Sequence, residues 1–183
     1  MDVIEAIKTR RSIRKYKPDL VEEEKLQAVL EAARWAPSWA NTQCWEFIVV
    51  KNPETKRKLA ETLTSWNRAF NAVKNAPVVI AACARLGLSG FWKGKPLADK
   101  ENFYMFDVAL ALQNLTLAAH SLGLGTLHVG AFDAKKAAEI LEVPAGVSVI
   151  ELIPLGYPME VPKATSRKEL KEFIHFEKYG QKS

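Results

Sequence analysis

Arg10, Arg11, Ser12 and Arg14 place three guanidinium groups and a hydroxyl within five residues. Arg carries a planar fork of donors matched to phosphate oxygens, and Ser adds a compact hydroxyl. Each charge-assisted contact contributes about 1.5–3 kcal/mol where water is excluded, so the chemistry of this set is anion capture. On charge alone, a solvated basic turn is the commoner use of such a cluster. A second polar set is Ala36-Pro37-Ser38-Trp39-Ala40-Asn41-Thr42-Gln43, lying between a helical pattern and a strand pattern. Its amides and hydroxyl suit the polar edge of a planar heteroaromatic ring, with backbone and small residues against the ring face. An ordinary helix-to-strand loop accounts for it equally well. A third stretch, Gly123 to Phe132, lacks the Gly-x-Gly-x-x-Gly spacing of a dinucleotide fingerprint, and its glycines follow a helix instead of a strand. What remains is a helix cap, a strand, and Gly130 at the strand's end, where a missing side chain lets a backbone amide approach a ligand.

Other chemistry-bearing residues carry less. Gly87-Leu88-Ser89-Gly90 is not a nucleophile elbow, and His120, His128 and His175 have no metal-ligand spacing. No metal is expected. Asn114-Leu115-Thr116 has the glycosylation pattern but lies in an apolar helical stretch. Cys44 and Cys83 are too few for a disulfide framework, and Cys44 is more simply a small apolar filler than a reactive thiol.

Periodicity supplies the elements that must hold these sets. Val3, Ile4, Ala6 and Ile7, behind Asp2 as N-cap, predict a first helix ending at the arginines. Leu26, Val29, Leu30 and Ala33 predict a second between Glu22-Glu23-Glu24 and Pro37. Phe47 to Val50 and Pro77 to Ala82 read as strands, and Asn52-Pro53-Glu54 starts a helix running through Leu59 and Leu63. Residues 86–100 read as a mobile loop. Phe103 to Leu122 is a long helix apolar on several sides, followed by a strand at Thr126–Val129, a helix at Ala134–Leu141 and a strand at Val147–Leu155. The tail at 173–183 alternates aromatic and charged residues, as suits packing on a partner surface.

A length of 183 residues with 48% apolar content suits one domain over 1–183. Apolar runs such as Ala76 to Ala84 are too short to span a bilayer, and the acidic N-terminus lacks a secretory signal, so the expected location is cytoplasmic, away from membranes. The net charge of +5 is scattered among acids without a nucleic-acid-binding signature; no nucleic-acid partner is expected, and a small anionic ligand explains the surplus.

In order along the chain, Arg10-Arg11-Ser12-Ile13-Arg14, Pro37-Ser38-Trp39-Ala40-Asn41-Thr42-Gln43, Ala76-Pro77-Val78-Val79-Ile80, Leu117 to Thr126 and Pro154-Leu155-Gly156-Tyr157-Pro158 resemble the motifs of the nitroreductase family of flavin mononucleotide (FMN) enzymes. The resemblance implies an α+β fold, a three-layer α/β/α sandwich on a mainly antiparallel sheet, in an interlocked homodimer with FMN at the interface. It implies that Arg10, Ser12 and the late pair Arg167-Lys168 hold the phosphate, while Arg14 reaches the ring's pyrimidine edge, where a cation favours the reduced state. Pro37, Ser38 and Asn41 would come from the second subunit, the Gly130 amide would address the central ring, and Asn67 that ring's polar edge. Arg11, Val129 and Ala131 complete the implied cofactor contacts. Two departures stand out: Cys44 replaces the Pro that usually follows the loop's Gln, and Thr165-Ser166 leaves the register of the late basic motif open by about one residue.

The implied activity is an oxidoreductase that passes electrons from NADH or NADPH to nitroaromatic, quinone or related small-molecule acceptors by a ping-pong mechanism, the cofactor carrying the chemistry. A lid-like segment at 86–102, with Phe91, Trp92 and Lys93, and Tyr104 just beyond it, would set selectivity. The rivals are a specialised FMN enzyme on the same scaffold (a dehalogenase, a flavin-destroying synthase or a peptide-modifying dehydrogenase) and a non-catalytic flavin or nucleic-acid binding module.

Overall fold

A computed structural model describes residues 1–97, 99 and 103–182 of the chain. The end of the lid-like segment, at 98 and 100–102, and residue 183 of the tail lie outside the described residues. Four strands form the main sheet: β1 (Trp45–Val50), β2 (Val78–Arg85), β5 (Gly125–Thr126) and β6 (Val147–Gly156), in the order β1-β2-β6-β5. Every pairing in it is antiparallel.

The arrangement follows from β2, which is buried on both faces along all but its last residue. Val78, Ile80, Ala82 and Ala84 point to one side, and Val79, Ala81 and Cys83 to the other, as a period of two requires. The first face packs against α2 (Glu23–Arg34), through Leu26, Val29 and Ala33, and α5 (Phe103–Ser121), through Val108, Leu112 and Leu115. The second face is covered by α3 (Pro53–Ala60), α4 (Phe70–Asn75) and α6 (Ala134–Ile140), through Leu59, Val73 and Ala137. A bulge between Ala82 and Cys83 shifts the register against β6, so Ala82 faces Glu151 and Cys83 faces Val149. The three-layer α/β/α expectation holds.

Several boundaries differ from those read off the sequence. α3 stops at Ala60, before Leu63, because Leu63 pairs with Phe132 in an isolated bridge. The strand expected at 126–129 is a two-residue ladder plus a single bridge of Val129 to Leu152. α4 was not anticipated; it is six residues long, and buried Lys56 donates through Nζ to the carbonyls of Ala76 and Pro77 just past its end. Residues 86–97 are not simply a loop: β3 (Phe91–Trp92) and β4 (Lys95–Pro96) pair as a hairpin, with Lys93 and Gly94 both at positive φ in its two-residue turn. No described helix is long and apolar enough to cross a membrane.

α1 (Val3–Thr9) is capped by Asp2, whose carboxylate accepts from the Glu5 amide at 2.9 Å. The chain then runs extended, and Ile13 donates its amide to the Thr126 carbonyl at 2.9 Å, within a parallel bridge of Ser12 to Thr126. Gly125 permits this approach: a Cβ there would lie 2.5 Å from Ile13 Cγ1. Gly125→Ala should therefore lower stability by roughly 1–3 kcal/mol through overpacking, read as a lowered denaturation midpoint at unchanged m-value.

Burial, with smaller contributions from Asp107 at Cys44 and Glu46 at Cys83, pushes both thiols up from 9.0 to about 11. Burial also raises the Tyr16 phenol, which donates to the Ile13 and Pro154 carbonyls. The folded chain holds these protons to higher pH than the unfolded chain, so the two thiols contribute in full below pH 9 and lose that contribution as pH rises from 9 to 11, while the Tyr16 contribution starts to fall only from pH 10 upward. Denaturant titrations should show stability falling across that window, with a shallower fall in Cys83→Ala.

Candidate functional site

The chain leaving α1 presents Arg10, Arg11, Ser12 and Arg14 to a cavity of about 170 Å³. Its opposite wall comes from 150 residues later, with Lys163, Thr165 and Arg167. Two cations near the C-terminus thus join three near the N-terminus, as the anion-capture reading requires. Lys168 is exposed and does not line this cavity; Lys163 stands where that late lysine was expected. A neighbouring cavity of about 260 Å³ shares Arg10 and Arg11 and is otherwise mostly apolar, with Ile13, Leu124 and Gly125 on its walls.

The electrostatics of this cluster are unbalanced. Burial first, then the charges of Arg11 and Arg167, hold the Arg10 guanidinium below its usual range. Arg10 Nη1 is buried without a hydrogen-bond partner. A buried charged donor left unpaired costs roughly 1–3 kcal/mol or more, and an anion held by these guanidinium groups would relieve their mutual repulsion. Arg11 is oriented by Nη1 contacts to the Lys8 and Arg10 carbonyls at 2.8 and 2.9 Å, and Arg167 by contacts to Thr165 and Ser166. His120, on the last turn of α5, is depressed by burial and by Arg10 and Arg11. Thr9 spends its hydroxyl proton on the Glu5 carbonyl, so the 2.8 Å contact between Thr9 Oγ1 and His120 Nε2 makes Nε2 the protonated nitrogen.

The loop at 37–44 is a separate wall. Trp39–Asn41 form a single 3₁₀ turn after Ser38, and Ala40, Asn41 and Gln43 all have positive φ, at 45°, 55° and 48°. Each non-glycine residue in that region costs on the order of 1 kcal/mol, so the loop must be held by its contacts. Ser38 Oγ accepts from the Gln43 amide at 3.0 Å, and Asn41 Oδ1 from Gln43 Nε2 at 3.2 Å. Sequence reasoning missed Asp107, a buried carboxylate on α5 that accepts from the Trp39 amide at 3.0 Å, Ser89 Oγ at 2.7 Å and Cys44 Sγ at 3.6 Å. An aspartate inside an apolar helical face was the available signal. Cys44 is fully buried with its thiol pushed up to about 11, which keeps it protonated and matches the filler reading.

Neither Pro37, Ser38 nor Asn41 lines the arginine cavity of the same chain. Gly130 is exposed, and a Cβ built there would meet nothing within 4 Å, so intrachain packing does not demand its glycine. Val129 is buried and exchanges both backbone hydrogen bonds with Leu152, which leaves it supporting Gly130 from below with no backbone donor to spare. Asn67 Nδ2 donates to the Ala131 carbonyl at 3.0 Å while its Oδ1 accepts from the Ala69 amide, so Asn67 fastens the segment after Gly130 to the α3–α4 connection.

Known proteins resemble this chain in sequence and in fold. A profile described as Nitroreductase family matches residues 7–157. A Methanothermobacter thermautotrophicus protein assigned as an NADH dehydrogenase/NAD(P)H nitroreductase is 39% identical, covering 98% of this chain and 88% of its own length. A Bacillus subtilis protein named FMN reductase (NAD(P)H) is 30% identical, covering 97% of this chain and 74% of its own. Among solved structures, an FMN-dependent nitroreductase from Clostridium difficile R20291 superimposes with a TM-score of 0.81 at 33% identity, covering 97% of this chain and all of that one. The match spans both the arginine segment's neighbourhood and the end of β6, and on it the chain belongs to the nitroreductase family.

Proposed function

We propose that this chain is an FMN-dependent oxidoreductase that uses NADH or NADPH to reduce nitroaromatic, quinone or related electrophiles. The observation that carries the reading is the crowded guanidinium cluster around the 170 Å³ cavity, which has no carboxylate among its lining residues and whose Arg10 Nη1 is buried without a partner among the described residues. Arg10, Arg11, Ser12, Lys163 and Arg167 would hold the phosphate. Arg14, exposed beside them and leaning on the Ser12 carbonyl at 3.4 Å, would orient the ring's polar edge. FMN, when bound, supplies the capacity to accept hydride from nicotinamide and pass electrons on. The chain's own work is to bind, to orient, and to leave the Gly130 amide open toward that ring.

A homodimer completes the site. The loop bearing Pro37, Ser38 and Asn41 does not reach its own chain's arginine cavity, and a second copy would bring it there. Val3, Ile4 and Ile7 on α1, Met105 and Phe106 on α5, and Phe173 and Phe176 in the tail are exposed apolar residues that such a partner would cover. Purified protein should be yellow and sediment as a dimer. Arg10→Ala should weaken FMN binding roughly tenfold to hundredfold, from the loss of about 1.5–3 kcal/mol, and Ser12→Ala by less. A folded, colourless protein that rejects added FMN would overturn the reading.

One open pocket serves both substrates in turn, with the oxidised nicotinamide leaving before the acceptor enters. Double-reciprocal plots with menadione as acceptor should be parallel, and a nicotinamide analogue should compete with menadione. Intersecting plots, together with a productive complex containing both substrates, would sink this order of events.

A further inference from the structure

Asp107 stands one turn into α5, 1% exposed, at the meeting point of three segments distant in sequence. Its Oδ1 accepts the Trp39 amide, which opens the strained loop, and its Oδ2 accepts Ser89 Oγ and Cys44 Sγ. Cys44 closes that loop, and Ser89 lies two residues before the β3–β4 hairpin. Both ends of the loop and the root of the hairpin therefore hang on one carboxylate. An ionised carboxylate is an acceptor only, so all three donors must turn their hydrogens toward it, fixing the Ser89 hydroxyl rotor and the path of the loop together.

What the carboxylate holds is not relaxed backbone. Three of the six positive-φ non-glycine residues among the described residues, Ala40, Asn41 and Gln43, fall between its two loop contacts. The hairpin on its other side carries Trp92 at 62% exposure, an aromatic face open to a ligand. We propose that Asp107 is a positioning residue that presets the Ser38–Gln43 loop for the cofactor and couples it, through Ser89, to the β3–β4 hairpin, whose exposed Trp92 would meet the electron acceptor. This rests on the flavin reading above.

The chemistry separates the variants. Asp107→Ala removes every acceptor. Asp107→Asn keeps one acceptor oxygen for the Trp39 amide, and its NH₂ group can donate to Ser89 Oγ, so it restores the loop contact at the expense of Cys44. Ser89→Ala cuts the hairpin link alone.

The experiment uses the full-length holoprotein, reading FMN release on dilution by recovery of free-flavin fluorescence, the visible spectrum of the bound flavin, kcat and KM for menadione, and the melting temperature. Asp107→Ala should weaken FMN retention at least tenfold and alter the bound-flavin spectrum, with Asp107→Asn recovering most of that loss. Ser89→Ala should raise KM for menadione severalfold with kcat within twofold. Combined with Asp107→Ala it should add nothing further, the mark of coupling through one group. The proposal is overturned if Asp107→Ala and Asp107→Asn lower only the melting temperature, leaving FMN retention, spectrum and KM as in the wild type. Should Asp107→Ala fail to fold, Ser89→Ala decides, and a wild-type KM for menadione in that variant overturns the proposal. A wild-type chain that rejects FMN overturns the flavin reading and this inference with it, whereas a yellow wild type matched by its variants overturns the coupling alone.

Discussion

Burial of β2 on both faces is the constraint from which the rest of the structure follows. A strand without a solvent side needs a helical layer above and below, and here the odd and even residues of Val78–Ala84 divide between two separate cores. The central position of β2 leaves β1 at one edge and the short β5 at the other. β5 in turn is where the arginine segment docks, because Ser12 and Ile13 extend the sheet by a parallel bridge to Thr126. A strand chosen for its apolarity thereby sets the place of a cluster chosen for its charge. Ser12 and Ile13 thus tie the middle of the arginine segment to the sheet edge.

The charge balance at that edge distinguishes a site from a solvated surface. Surface ion pairs elsewhere in the chain, such as Arg34 with Glu31 or Arg57 with Glu54, satisfy each cation locally. Around the 170 Å³ cavity, the neighbours that depress Arg10 are themselves cations, and its Nη1 has neither carboxylate nor carbonyl. Such crowding of like charges is unfavourable without a counterion, which separates this edge from the paired cations of the surface.

Legibility of the sequence divides along physical lines. The long elements were plain: α2 and α5 follow from helical periodicity over several turns, and β2 and β6 from runs of branched and small apolar residues. The arginine cluster could be read as chemistry, because guanidinium spacing is local. What stayed hidden depended on long-range partners. Leu63 looked helical until the Asp133 amide took the Thr62 carbonyl beside it, Val129 looked strand-like but pairs in a single bridge, with Leu152, and α4 is too short to show a period. A basic tail without periodicity offers no register, so Lys163, which lines the arginine cavity, did not stand out beside Lys168. Asp107 was passed over because its neighbours spell core, and nothing local says which donors will reach it.

The two polar walls complete the argument. One, the arginine segment, is held by backbone pairing to the sheet and is insensitive to side-chain chemistry beyond Ile13 and Gly125. The other, the Ser38–Gln43 loop, is held in a costly conformation by side chains, with Asp107 at both its ends. One wall is therefore fixed by the sheet and the other is tensioned, its conformation dependent on the side chains that hold it. The tension resides where the fold is anchored by a single buried carboxylate, so adjustment of the tensioned wall is concentrated at the joint shared with the β3–β4 hairpin.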